Sequence, residues 1–136
     1  MLSVKNYPAD YVDACQTRLE HQLDTWQALD VAGDEAAEAF TVDFHNNLIL
    51  VLEHSFVHRM RGNEGKDGNP LNEVRMLADS ILNNHAMLAG EKSIKYKPET
   101  SVTGLAVGDQ IALTSDKLRA LAIAYFATIR DKYPPS

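Results

Sequence analysis

A single cysteine in 136 residues removes two chemistries at once. Cys15 has no partner for an intramolecular disulfide, and the count excludes a cysteine-rich zinc site. Cys15 sits on an apolar helix stripe with nothing near it to lower a thiol pKa, which reads as a buried, unreactive side chain. Long apolar runs are missing too. Leu48 to Leu52 is far too short to cross a bilayer, and MLSVKNYPADYVDA lacks the apolar segment of a secretory signal. A cytoplasmic protein is the expectation. Positive charge is scarce, with 13 basic against 19 acidic residues and a net charge of −6. That balance argues against nucleic acid and anionic membrane as partners. No G-x-S-x-G marks a nucleophilic serine, no G-x-x-x-x-G-K-[ST] a phosphate loop, and no Glu-x-x-His a di-iron bundle. Internal repeats and low-complexity segments are absent as well.

What remains is a chain of single-domain length (1–136) with ordinary globular composition. Its charge is uneven: residues 1–57 hold 2 basic and 10 acidic side chains, residues 58–136 hold 11 and 9. This fits either a solvated acidic face or an acidic half packed on a less acidic one. Four helices follow from periodicity. The first spans about Pro8 to Leu29, with Val12, Cys15, Leu19, Leu23 and Trp26 as its stripe and Val31-Ala32-Gly33 as its end. The second begins at Asp34, a good cap, and runs to about Arg61. Its apolar arc covers more than half the circumference and leaves a polar strip of Asp43, Asn46, Asn47, Glu53, His54 and Arg61. Asn69 caps the third and Pro70 opens it; Leu71, Val74, Ala78, Ile81, His85 and Leu88 form its stripe before Gly90. The fourth starts at Thr114 or Ser115 and ends at about Tyr133, ahead of Pro134-Pro135.

Residues 91–113 break the helical pattern. Leu105-Ala-Val107 and Ile111-Ala-Leu113 flank Gly108-Asp109, which suits a type II′ turn. The fold class read from this pattern is mainly all-α, a four-helix bundle with a small β-hairpin between helices three and four.

Two polar sites emerge. An antiparallel pairing of helices two and three across residues 62–69 sets His45 level with His85 and His58 level with Glu73. His45 and His85, both on apolar stripes, then suggest two ligands of a single zinc or iron ion, or a haem axial pair, with Tyr125 nearby. The bland alternative is two core histidines satisfied by Tyr125 or by each other. The second site is Glu53 to Arg75. Here His54, His58, Arg59, Arg61, Lys66, Glu73 and Arg75 surround three glycines and a helix N-terminus, a composition able to hold a carboxylate or phosphate. Its alternative is a structural turn with pairs His58–Glu73 and Arg61–Asp67. Asn63, Asp67 and Gly68 fit a calcium loop, but Gly65 and Val74 occupy two of its ligand positions. His54 and His58, four residues apart, would repel when both are charged.

The stretch LEHSFVHRMRGNEGKDGNPLNEVRML resembles a small bacterial all-helical family without an assigned function, and KSIKYKPETSVTGLAVGDQIALT does so more loosely. The resemblance implies a bacterial, cytoplasmic protein and nothing catalytic. A metal bundle of the DinB type takes one histidine from an early helix and an H-x-x-x-H pair from a later one. Here His54 and His58 share a helix with His45 and face away from it, which departs from that pattern. The reading is a helical-bundle binding or interaction protein, homodimeric, with a small anionic ligand at the turn between helices two and three. The alternative is a metal-dependent protein or enzyme centred on His45 and His85.

Overall fold

Three of the four long helices, all but the first, begin where a polar side chain closes the first turn. The computed structural model describes residues 3–29 and 33–136. Pro8 precedes α1 (Ala9–Ala28), and Tyr11 and Val12 donate their N–H groups to its carbonyl. The expected end at Val31-Ala32 lies outside the described residues, while Gly33 takes a φ of +89°. Asp34 accepts from Ala36 N to start α2 (Glu35–Ser55). After a one-turn helix α3 (Arg61–Glu64), Asn69 accepts from the N–H groups of Leu71 and Asn72 at the start of α4 (Pro70–Asn83). Thr114 does the same with Lys117 for α5 (Ser115–Lys132).

The helix ends depart from the sequence expectation. α2 stops at Ser55, not Arg61, because residues 58–60 are drawn into backbone pairing with Val4. Val4 N donates to His58 O and Met60 N donates to Val4 O, both at 2.8 Å. α4 stops at Asn83, not Gly90. Asn84 and Ala86 both donate to Ser80 O, and His85 and Ala86 turn the chain in the left-handed region at φ 55° and 59°.

The expected β-hairpin does not form. Asp109 closes its own turn by accepting from Ala106 N at 2.9 Å, and the Leu105 carbonyl accepts from the Tyr96 hydroxyl. Residues 108–111 instead lie antiparallel to 86–88 through a single bridge, Met87 with Gln110. The structure is mainly helical, and no described helix is long and apolar enough to cross a membrane.

α1 packs along α5, α2 along α4, and α4 against α5. Asp13 meets Arg130 at 2.8 Å and Asp24 meets Arg119 at 2.7 Å, so α1 and α5 run antiparallel with the acidic helix on the more basic one. These pairs are exposed and each adds little stability. Tyr125, Phe126, Phe56, Leu71, Leu77, Leu118 and Leu121 are among the fully buried side chains at the centre.

Candidate functional site

The early end of α2 decides what happens to the charged stretch. With residues 56–58 turning and Arg59 bridged to Val4, the Arg59 side chain is fully buried, as is that of Glu64 from α3. Arg59 Nη2 donates to Glu64 Oε1 at 2.8 Å and to Leu71 O at 3.3 Å. Arg59 Nη1 donates to Phe56 O at 3.1 Å and to the Tyr125 hydroxyl at 3.2 Å. Both its hydrogens are thereby used, so Glu53 Oε1, 3.1 Å away, contributes charge without a hydrogen bond. Arg61 and Arg75 close on Glu64 from the other side, with Nη1 and Nη2 at 3.1 and 2.8 Å from Oε2. Arg75 also lies 3.8 Å from Glu53, and Arg61 4.0 Å from Glu91. Three guanidiniums face three carboxylates.

The electrostatics follow from burial and pairing. Burial pushes the Glu64 carboxyl up, but its bonds to Arg75 and Arg59 outweigh that and hold it below its ordinary value. For Glu53 burial wins over Arg59 and Arg75, and its pKa is raised. Burial works against charge on Arg59, yet Tyr125, Glu53 and Glu64 together raise its pKa, so it stays ionised.

Of the residues singled out from sequence, Arg59, Arg61 and Arg75 do converge. Lys66 is exposed, and its carbonyl accepts from Lys95 N at 2.7 Å. Glu73 is buried and does not pair with the exposed His58. Its carboxylate accepts from Val102 N, Thr103 N and Thr103 Oγ1 at 2.9, 3.0 and 2.6 Å, because the 98–105 loop passes over α4. Arg61 bonds Asn72 Oδ1 at 3.1 Å in place of Asp67.

The histidine pair also needs correction. His45 is buried and stands 2.9 Å from Ser115 Oγ, whereas His85 is exposed in the turn beyond α4. Tyr125 serves Arg59 and gives His45 nothing to bond. Among the described residues no group of three or more His, Cys, Asp or Glu side chains is placed to hold a metal ion.

Glu64, Glu53 and Asn72 were not legible as members of the cluster. Glu64 lies in a polar, glycine-rich loop without periodicity, and only its i,i+3 spacing from Arg61 hinted at the contact.

Two of the surface depressions near this cluster bear on ligand binding. One, of about 570 Å³, is lined by Asp67, Asn69, Glu73, Lys95, Lys97 and Thr100, among others. The α4 N–H groups that would greet an anion there already bond Asn69. The other, of about 430 Å³, lies between α2 and α4 and is mostly apolar. Leu50, Val51, Val57, Ala78 and Leu82 line it, with Glu53 and His54 at its edge. Val51, Val57 and Leu82 are 46%, 40% and 68% exposed. No family model, curated protein or solved structure matches the chain.

Proposed function

We propose that this chain is an interaction module, a four-helix bundle that pairs with a second copy of itself through the groove between α2 and α4. The observation that carries the reading is the apolar lining of that groove, with Val51, Val57 and Leu82 left open to solvent beside each other. Contiguous exposed apolar surface of this kind marks association sites. The groove's charged residues, Glu53 and His54, both lie on the α2 edge, which leaves the α4 side to Ala78 and Leu82. A two-fold axis sets the Ala78 and Leu82 side of one copy against the Val51 and Val57 side of the other, as an isologous contact requires.

The turn between α2 and α4 is the weaker candidate for ligand binding. Arg59, Arg61 and Arg75 are matched by Glu53, Glu64 and Glu91, which leaves an incoming anion no net attraction. The charged cluster fixes how α2 meets α4, and the apolar groove beside it does the binding.

Sedimentation equilibrium tests this on the wild type, Leu82→Glu and Ile123→Glu, the last an exposed apolar residue of α5 outside the groove. The wild type and Ile123→Glu are expected at twice the chain mass. Leu82→Glu removes about 2 kcal/mol of apolar burial per site and raises the dissociation constant at least tenfold. A monomeric wild type at tens of micromolar, or a dimer indifferent to Leu82→Glu, overturns the reading.

A further inference from the structure

His45 is a buried base whose one hydrogen-bond partner among the described residues is a hydroxyl. It is 1% exposed, and its ring packs against Trp26 and Phe44 with centroids at 6.4 and 5.9 Å. Nε2 stands 2.9 Å from Ser115 Oγ, and Nδ1 has no partner among the described residues. Burial holds the imidazole below its ordinary pKa, which favours its neutral form.

Ser115 is the first residue of α5 and is half-buried. Thr114 caps Lys117 N and Leu118 N bonds Thr114 O, while the N–H groups of Ser115 and Asp116 have no acceptor among the described residues. Two open donors therefore sit beside the hydroxyl at the positive end of an eighteen-residue helix. On the other side of His45, Trp26 stacks on Phe44 at 5.0 Å and meets Phe40 at 5.6 Å. Phe40 is 56% exposed, so the aromatic cluster that ends at His45 reaches the surface.

We propose that Ser115 and His45 form a nucleophile–base pair that accepts the acyl group of an aromatic ester, the aryl group resting on Phe40 and Trp26. The Ser115 Oγ proton passes to His45 Nε2 as Oγ bonds the ester carbonyl carbon. The carbonyl oxygen becomes an oxyanion facing the Ser115 and Asp116 N–H groups. Collapse breaks the bond to the leaving phenolate, which takes the proton from His45 and departs as a phenol. The product is an acyl-serine, which water then hydrolyses to the acid. Among the described residues no carboxylate stabilises an imidazolium at Nδ1, so acylation is expected as a single stoichiometric burst followed by slow turnover.

The experiment mixes 4-nitrophenyl butyrate with the 136-residue chain, following phenolate release and mapping the adduct by peptide mass. One equivalent is expected on Ser115, none with Ser115→Ala, and acylation about 10² to 10⁴ times slower with His45→Gln. Retained helical circular dichroism qualifies the variants. If Ser115→Ala does not fold, fluorophosphonate labelling of the wild type decides alone, with Ser115 as the expected site. Absence of any adduct, or adducts on lysine or tyrosine that persist in Ser115→Ala, overturns the proposal.

Discussion

Glu64 accepts from three arginines at a place with no exposed side-chain surface, and this makes it the most consequential charge in the molecule. Two buried charges attract strongly, but taking them out of water costs nearly as much, so the pair adds little net stability while depending wholly on both members. Glu64→Gln leaves Arg59 buried without its nearest countercharge. A loss of about 3–5 kcal/mol is expected, read as a fall of about 2 M in the urea midpoint. Arg61→Ala, at a side chain 42% exposed, should cost under about 1 kcal/mol in the same assay. A pH effect belongs at this scale too. His45 has a folded pKa below its ordinary value, so the unfolded chain binds the proton more readily. Its contribution is present above the ordinary histidine pKa and is lost as pH falls through the folded value. Glu64 follows the same direction in the carboxylate range, and Glu53, raised by burial, opposes it. Comparing urea unfolding at neutral and mildly acidic pH, His45→Gln is expected to lose less stability on acidification than the wild type. An equal loss removes His45 as a cause. The arginines of this cluster could be read from the sequence, because they crowd a short polar stretch. Their common acceptor could not, since its burial is created by chain reversal and not by a helical face.

At the scale of elements, starts and ends had different visibility. Asp34, Asn69-Pro70 and Thr114 mark helix starts through side chains that bond the first N–H groups, a local chemistry that a sequence displays. Ser55 and Asn83 end their helices through distant partners, Val4 for residues 58–60 and Ile111 for Ala86, which no local pattern reveals. The missing hairpin has the same origin: the strand-like residues 108–111 find 86–88 and leave 105–107 unpaired with them. Glu73 is the element-scale pin, because its three bonds tie the 98–105 loop to α4. Hydrogen bonds to a charged acceptor are worth about 1.5–3 kcal/mol. Glu73→Gln should therefore speed amide exchange at Val102 and Thr103 at least tenfold while leaving the centre of α5 protected. Unchanged exchange at those two amides would show that the loop is held by packing alone.

At the scale of the whole molecule, the uneven charge resolves into an arrangement. Acidic α1 lies antiparallel on α5, and the net negative charge is carried on exposed faces. The stretch richest in functional residue types is closed upon itself, while the plain apolar surface beside it stays open. On the proposed reading, recognition falls to Val51, Val57 and Leu82 and scaffolding to Arg59 and Glu64. The most direct measurement is a dilution series followed by methyl NMR of the wild-type protein. The Val51, Val57 and Leu82 methyl signals are expected to shift together along one dimer isotherm, with Val107 and Ile123 still. Signals at the groove that stay fixed across the series, or shifts confined to Val107 and Ile123, would contradict the account.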